Sequence, residues 1–324
     1  MFKGGATMHE FGPQELLDLQ QTSGRWFIKV IHQQPLLYTT NLGSTLRFTS
    51  NQCTQLVVKV TNYHNSLGPS QMWAWRIDGR SWQRVTAINH RFTINCSPKQ
   101  HLIEIITAGN SDLDQVWSGQ EGFGVTDIII DGGQLTSAPH KAMIDFIGDS
   151  ITAGCWVTGK HAAFDYRPET NYVGIACDDL DTLGIRVAYS AGGVLRKATG
   201  GVPDARQYLS QLDAVSRWQP DHPDLVVINL GVNDRRYSID QFTAAYDDLL
   251  NRVHHLFDNV PIVIMIPFKQ SFASQIRSLA HQRALPIIET ASWHPSYTDG
   301  LHPNQEDSIH CGHQLAKALR SFLK

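Results

Sequence analysis

The sequence predicts an α/β protein with an all-β domain, a jelly roll or sandwich, placed before a three-layer domain that has a doubly wound, parallel five-stranded sheet. From Trp26 to about Ile130, short β-rich runs bounded by Asn, Gly, Ser or Pro follow one another without a helical pattern. Beyond residue 140, apolar strand candidates alternate with long amphipathic stretches. The predicted parts are therefore an N-terminal extension (1–24), the sandwich (25–136) and the α/β domain (140–324).

The composition favours an ordinary globular protein. Of the 324 residues, 42% are hydrophobic and 18% are charged, which is far from the composition of a disordered chain. The net charge of −3 gives no electrostatic reason to expect nucleic acid or an anionic membrane as partner. We expect a cytoplasmic protein, because no apolar run approaches the roughly 20 residues of a membrane helix and the first residues contain no apolar signal core.

The number and spacing of the cysteines also favour a cytoplasmic protein. The five cysteines are scattered and contain no C-x-x-C pair. Such a sparse, odd set predicts reduced thiols and neither a disulfide framework nor a zinc site.

The strand candidates of the first part are "STLRFTS", "TQLVVKVTN", "QMWAWRIDG", "HRFTINC", "HLIEIIT" and "VTDIIIDGG". "WAWRID" alternates large apolar residues with small or polar ones, and Asp78-Gly79 predicts a hairpin turn. The spacing of two puts Trp73 and Trp75 on one side of a strand, which we take as the core side in preference to a sugar-stacking face.

The second part offers five strands, "AMIDFIG", "IRVAYS", "DLVVINLG", "PIVIMIP" and "LPIIET". Helices are expected between and after them, near 171–183, 203–218, 239–257, 272–283 and 308–322. In such sheets the chemistry lies at the C-terminal ends of the strands.

Ser150 follows the first of these strands in "FIGDSIT". It is either a helix N-cap or a nucleophile, and a nucleophile needs a base and an orienting group. His302 and Asp299 in "TDGLHPN" supply both from one loop, although the same residues also favour a plain surface turn. His294 is a weaker candidate because no aspartate stands three residues before it.

Hydrogen-bond donors for an oxyanion could follow two other strands. "LGVNDRR" places Gly231 and Asn233 after the third strand, and "YSAGGVLR" places Gly192 and Gly193 after the second. An asparagine amide or a glycine N–H can approach a substrate oxygen closely. Each segment could equally be a turn that ends a strand.

The order of these motifs resembles the SGNH, or GDSL-type, hydrolase family, whose blocks are matched by "GDSIT", "SAGG", "GVND" and "DGLHP" over about residues 142–324. The resemblance implies that Ser150 is the nucleophile, His302 the base and Asp299 its orienting partner. It further implies that the N–H groups of Ser150 and Gly193 and the amide of Asn233 form the oxyanion hole. Gly192 competes with Gly193, and the resemblance gives structural roles to Asp149 and Asp234.

A β-sandwich before such a domain is similar to carbohydrate esterase family 2. This second resemblance implies a serine esterase that removes short acyl groups, most simply acetyl, from carbohydrate hydroxyls through an acyl-enzyme, with no metal or organic cofactor. Trp156 and Trp293 stand close to the serine and to the Asp-His loop, and are candidates to contact the substrate.

Other functions remain open at this point. An O-acyltransferase would use the same acyl-enzyme with a second alcohol in place of water. A lipid esterase or thioesterase would differ in acyl length, and a carbohydrate-binding protein would keep the scaffold without catalysis. The sequence is silent on the sugar, on oligomeric state, on pathway and on the choice between hydrolysis and transfer.

Overall fold

A computed structural model of the chain describes residues 8–19, 24–63, 65, 66, 68 and 70–323. Apart from a short 3₁₀ helix (Val116–Ser118), the first part of the chain contains one α-helix and eleven strands within these residues. They are β1 (His9–Phe11), α1 (Pro13–Leu19), β2 (Phe27–Ile31), β3 (Gln34–Thr39), β4 (Thr45–Asn51), β5 (Gln55–Val60), β6 (Met72–Ile77), β7 (Gln83–Thr86), β8 (Arg91–Asn95), β9 (His101–Gly109), β10 (Phe123–Ile130) and β11 (Gln134–Ser137).

These strands form two antiparallel sheets. The first has the order β2-β3-β10-β5-β8, with β1 also paired to β10, and the second has the order β11-β4-β9-β6-β7. In β8 the side chains of Phe92 and Ile94 are buried while their neighbours are exposed, which is the alternation of a strand with one face on a core. The predicted sandwich is confirmed.

Two local predictions can be compared with this domain. Asp78 and Gly79 both have positive φ, 52° and 68°, in the turn that joins β6 to β7. Trp73 is fully buried, with its ring 5.6 Å from that of Phe123. It therefore belongs to the core between the sheets, as expected from its position.

Apart from a short 3₁₀ helix (Val232–Asp234), the second part contains five strands and six α-helices within the described residues. They are β12 (Met143–Gly148), α2 (Ser150–Ala153), α3 (Tyr172–Leu180), β13 (Leu183–Ala188), α4 (Ala205–Tyr208), β14 (Leu225–Asn229), α5 (Ile239–Leu256), β15 (Ile262–Met265), α6 (Ala273–Gln282), β16 (Ile287–Ile288) and α7 (Gln305–Leu319). The strands are all parallel in the order β13-β12-β14-β15-β16, and the predicted five-stranded sheet is confirmed.

Helices cover both faces of this sheet. Successive residues of a strand point to opposite faces, so Val226 and Ile228 of β14 pack in one core with α5 and α6. Leu225 and Val227 pack in the other core with α3 and α7. This arrangement explains why the strands read as continuous apolar runs.

The helix predicted near 203–218 is wrong over most of its length. Only α4 is helical there, and a β-bridge joins Gln211 to Arg217. The carboxylate of Asp213 accepts hydrogen bonds from two backbone N–H groups inside the turn. Aspartate side chains compete in this way with the hydrogen bonds of a helix. The apolar residues of this segment have helical spacing, but the hydrogen bonds to Asp213 favour a turn in place of the helix.

The sandwich packs against the edge of the parallel sheet where its strands end. The side-chain amide of Asn41 donates to the carbonyl of Ala188, the last residue of β13, at 3.2 Å. Ion pairs also cross between the domains: Lys29–Asp213, Arg76–Asp178 and Arg84–Glu169. The sandwich thus lies beside the edge of the sheet at which chemistry is expected.

Within the described residues, no helix is both long enough and apolar enough to cross a membrane.

Candidate active site

Ser150 begins α2 immediately beyond the end of β12, and only 2% of the residue is exposed. Asp149 caps the helix, because its Oδ1 accepts the N–H of Ile151 at 2.9 Å. A side chain at Gly148 would place its Cβ 2.0 Å from Thr152 Oγ1, so the turn requires glycine there. The Gly-Asp-Ser sequence therefore produces an abrupt change from strand to helix with the serine at its first turn.

The imidazole of His302 contacts Ser150 from the loop that precedes α7. The distance from His302 Nε2 to Ser150 Oγ is 2.7 Å, which is a hydrogen bond between groups 152 residues apart in the chain. Both residues are almost fully buried, at 5% and 2% exposure. This is the contact that a serine nucleophile and its base require.

Asp299 holds the other side of the same imidazole. Its Oδ2 lies 2.8 Å from His302 Nδ1, and its Oδ1 accepts the backbone N–H of His302 at 2.8 Å. Burial alone would raise the pKa of Asp299, but the hydrogen bonds and charge of His302 lower it below the ordinary value. An ionised carboxylate only accepts, so the ring carries its proton on Nδ1 and leaves Nε2 to accept from Ser150.

Burial lowers the pKa of His302 below its ordinary value, although the charge of Asp299 acts in the opposite direction. The imidazole is therefore neutral at neutral pH, as a base must be.

Asn233 brings a side-chain amide to the same edge of the sheet. It lies in a short 3₁₀ helix (Val232–Asp234) that follows β14 and is 8% exposed. Its Oδ1 accepts from Arg196 at 3.4 Å, and its Nδ2 donates to the carbonyl of Gly192 at 2.8 Å. These contacts fix the orientation of the amide and use only one of its two N–H groups.

The geometry does not favour Gly193 as an oxyanion donor. Its N–H donates to the carbonyl of Arg196 at 2.9 Å, and the N–H of its competitor Gly192 donates to the carbonyl of Tyr189 at 3.1 Å. Both glycines are also buried. Neither N–H is therefore free to meet a substrate oxygen.

The position of the Asp234 carboxylate explains why residue 193 is a glycine. A Cβ on Gly193 would lie 2.5 Å from Asp234 Oδ1. The carboxylate of Asp234 accepts the N–H groups of three successive residues, Val194, Leu195 and Arg196. Asp234 thus fixes the turn after β13, which is the structural role that the sequence suggested for it.

Ala191, directly before the two glycines, is a residue of this turn that the sequence analysis did not single out. It has a φ of +59°, which is unusual for alanine, and is partly exposed, unlike the two glycines after it. Within the described part of the chain, its N–H donates no hydrogen bond. The sequence places it directly after Ser190, but an alanine lacks the conformational freedom by which the two glycines were predicted as donors.

Asp149, the residue before Ser150, is a buried carboxyl whose pKa is also shifted. Burial raises its pKa to about 7, while the hydrogen bond from Ile151 acts against this rise.

The two candidate tryptophans differ in exposure. Trp156 is partly buried with its ring 4.9 Å from that of Tyr166, and the next residue, Val157, accepts a hydrogen bond from Thr298 beside the Asp-His loop. Trp293 is 9% exposed and packs in the core 6.0 Å from Phe268. Trp156 is thus the one whose surface a substrate could reach.

His294 is exposed and lies outside the hydrogen-bonded group formed by Ser150, His302 and Asp299. No cluster of three or more His, Cys, Asp or Glu side chains that could hold a metal ion occurs in the ranges that the structure describes.

The comparison with protein families agrees with this geometry. Residues 146–306 match the GDSL-like Lipase/Acylhydrolase family. The chain carries a GDSL-like lipase/acylhydrolase domain. The matched segment runs from the strand before Ser150 to the start of α7, just past His302. No curated protein sequence matches the chain significantly.

Solved structures extend the likeness to both domains. A family two carbohydrate esterase from Cellvibrio japonicus is 14% identical, with a TM-score of 0.76 and 98% coverage of each chain. A carbohydrate esterase family 2 enzyme from Myceliophthora fergusii is 19% identical, with a TM-score of 0.70 and coverage of 92% of this chain and 98% of that one. An acetyl xylan esterase from Butyrivibrio proteoclasticus is 14% identical, with a TM-score of 0.68 and coverage of 97% and 98%.

The predicted resemblances are confirmed at two levels. The GDSL-like domain belongs to a family of acyl hydrolases, as the motif order indicated. The arrangement of a β-sandwich before that domain is shared with carbohydrate esterase family 2 structures over nearly the whole chain.

Proposed function

We propose that this protein is a serine esterase that removes short acyl groups, acetyl above all, from carbohydrate hydroxyls. The observation that carries the proposal is the continuous hydrogen-bonded series from Ser150 through His302 to Asp299, with distances of 2.7 and 2.8 Å. A serine, a neutral imidazole and an ionised carboxylate in this arrangement are the parts needed for acyl transfer.

In the first half of the reaction, Ser150 Oγ attacks the ester carbonyl as its proton passes to His302 Nε2. The carboxylate of Asp299 stabilises the imidazolium that forms without taking its proton. The developing oxyanion accepts from the N–H groups of Ser150 and Ala191 and from the free N–H of Asn233. When the tetrahedral intermediate collapses, the proton on Nε2 goes to the departing alcohol and an acyl-enzyme remains.

In the second half, a water molecule gives a proton to His302 Nε2 and attacks the acyl carbonyl. Collapse of the second tetrahedral intermediate returns that proton to Ser150 Oγ and releases the carboxylic acid. Every proton thus moves through Nε2, while the proton on Nδ1 stays on the ring and remains hydrogen-bonded to Asp299 throughout.

Two features support a small acyl group on a carbohydrate. The chain shares its two-domain fold with structures described as carbohydrate esterases and an acetyl xylan esterase. The partly exposed Trp156, tied by its neighbour Val157 to the Asp-His loop, offers an aromatic surface of the kind that sugars stack on.

The proposal is tested with p-nitrophenyl esters of increasing acyl length, comparing the native protein with Ser150→Ala. Loss of such a nucleophile costs on the order of 10⁶ in kcat. Ser210→Ala is the matched control, since that serine is exposed in the same domain. We expect acetate to be the best substrate, Ser150→Ala to be inactive and the control to match the native rate.

The other outcomes discriminate among the alternatives. A preference for long acyl chains would indicate a lipid or thioester substrate. Faster release of p-nitrophenol on addition of sugar alcohols, with acylated sugar as product, would indicate an acyltransferase. Hydrolysis that is unchanged in Ser150→Ala would contradict the mechanism, and no turnover of any ester would favour a carbohydrate-binding protein.

A further inference from the structure

Arg196 is a cation in direct contact with the proposed oxyanion hole. Its Nη1 donates to Oδ1 of Asn233 at 3.4 Å, and the residue is partly exposed. Within the described part of the chain, no carboxylate forms an ion pair with this guanidinium and no other group accepts a hydrogen bond from it. A guanidinium carries five N–H donors and a permanent charge, so most of its hydrogen-bonding capacity is open to a ligand.

A series of contacts joins Asn233 to the turn that carries Ser150. Nδ2 of Asn233 donates to the carbonyl of Gly192 at 2.8 Å, and a Cβ on Gly192 would lie 3.2 Å from the hydroxyl of Tyr208. That hydroxyl donates to the carbonyl of Gly148, two residues before Ser150, at 2.8 Å. A group that binds the amide of Asn233 from its oxygen side is therefore within reach of a substrate attached to Ser150.

Further basic side chains follow the neighbouring strands at this edge of the sheet. They stand in the segments after β13, β14 and β15, and are Lys197, Arg235, Arg236 and Lys269. In the ranges that the structure describes, none of the four forms an ion pair; Lys269 instead lies over the ring of Tyr297, 3.6 Å from its centroid. Because the whole chain has a net charge of −3, this positive charge is a local feature of the edge where parallel strands end.

The acidic residues near this edge already have partners of their own. They are Asp112 with the hydroxyl of Thr199, Asp204 with Arg206, Asp234 with three backbone N–H groups, and Asp299 with His302. Elsewhere in the domain arginines have carboxylate partners, as Arg277 has Glu289 and Arg283 has Asp247. An anionic ligand at Arg196 therefore displaces no ion pair of the protein.

We propose that Arg196 is a specificity-determining residue that pairs with an anionic group, a carboxylate or a phosphate, on the acylated carbohydrate. The inference rests on the proposed esterase function and names the class of its substrate. The planar guanidinium can donate two parallel N–H groups to either anion, and such charge-assisted pairs are stronger than hydrogen bonds between neutral groups. The unpaired cations of the neighbouring segments attract the same anion at longer range.

The inference is tested by the ratio of kcat/KM for anionic and neutral sugar esters. The substrates are three methyl glucosides with the same single O-acetyl group, which carry at C6 a hydroxyl, a carboxylate or a phosphate. We expect the native protein to prefer an anionic ester, and Arg196→Gln to lower the ratio of that ester to the neutral one roughly 10- to 100-fold, the range for a hydrogen bond to a charged group. The anion with the larger native ratio distinguishes a carboxylate from a phosphate. Arg252→Gln, which changes an arginine paired with Asp248 near the far end of α5, is expected to leave the ratio as it was.

A merely structural role for Arg196 gives a different result. If the guanidinium served only to hold the amide of Asn233, Arg196→Gln would lower kcat/KM for neutral and anionic esters by the same factor, and their ratio would stay constant. Arg196→Lys keeps the charge without the planar fork, so we expect it to retain part of the preference. A ratio near one in the native protein, or a ratio that Arg196→Gln leaves unchanged, would overturn the inference.

A binding measurement separates this inference from the esterase proposal. Calorimetric titration of the three acetylated glucosides into Ser150→Ala, with and without Arg196→Gln, needs no turnover. If the native protein cleaves none of these esters, the proposed function fails, whereas tighter binding of an anionic glucoside that is lost in the double variant still supports the role of Arg196. If none of the glucosides binds, if the neutral and anionic ones bind equally, or if the double variant keeps the preference, the role of Arg196 is contradicted.

Discussion

Asp299 and His302 are joined twice, once through the ring and once through the backbone. Asp299 Oδ2 lies 2.8 Å from Nδ1 of the imidazole, while Oδ1 accepts the N–H of His302 at 2.8 Å. The D-x-x-H spacing lets one carboxylate shape the loop and orient the base at the same time. Asp299 thus determines both the position of His302 and which of its ring nitrogens carries the proton.

Asp299→Asn tests that relationship. An amide can still accept from the backbone, but its NH₂ group must then donate to Nδ1, which places the ring proton on Nε2 and prevents that atom from accepting the proton of Ser150. We expect kcat on p-nitrophenyl acetate to fall on the order of 10³- to 10⁴-fold with the fold retained. Glu306→Gln, at an exposed site in the first turn of α7, is the control. A loss smaller than about tenfold would refute the assigned role.

Asn233→Ala tests the oxyanion hole. The amide is held by Arg196 and Gly192, and its remaining N–H is free for the transition state. We expect kcat to fall roughly 10²- to 10³-fold with a much smaller change in KM. The exposed Asn259→Ala provides the comparison. If KM rose while kcat was preserved, Asn233 would bind the substrate without stabilising the oxyanion.

The pH dependence of kcat/KM follows from the environment of His302. Only the neutral imidazole accepts the proton of Ser150, and burial lowers the pKa of His302 below its ordinary value of 6.5. A lowered pKa keeps the ring neutral further into the acid range. We therefore expect kcat/KM to rise with pH through an inflection below that ordinary value and then to level off. An inflection above it would show that the imidazole is stabilised as its cation.

Gly193→Ala tests the structural account of the glycine pair. The added Cβ would lie 2.5 Å from Asp234 Oδ1, so the carboxylate that holds three backbone N–H groups must move. We expect the thermal midpoint to drop by several degrees, as overpacking of this kind costs about 1–3 kcal/mol. Gly12→Ala, whose Cβ would meet nothing closer than 3.8 Å, is the control. Equal midpoints for the two variants would contradict the clash.

The features that the sequence predicted well are those determined by neighbouring residues. The five strands of the parallel sheet are continuous apolar runs, and Ser150 and the Asp299–His302 loop occur in short motifs with fixed spacing. Because parallel strands end at one edge of the sheet, the motif order alone predicted that these groups would meet.

The features that it missed depend on partners distant in the chain. Whether the N–H of Gly193 or of Ala191 is free depends on the carbonyl of Arg196 and the carboxylate of Asp234. The helix expected near 203–218 gave way to a turn held by a single aspartate.

The central claim is that Ser150 carries the acyl group between the two halves of the reaction. Rapid acid quench during turnover of p-nitrophenyl acetate, followed by peptide mass spectrometry, tests it directly. We predict one added acetyl group on the peptide that contains Ser150, present in the native protein and absent in His302→Ala at the same early time. Turnover at the native rate with an unmodified Ser150 peptide, or with the acetyl group on another residue, would contradict the account.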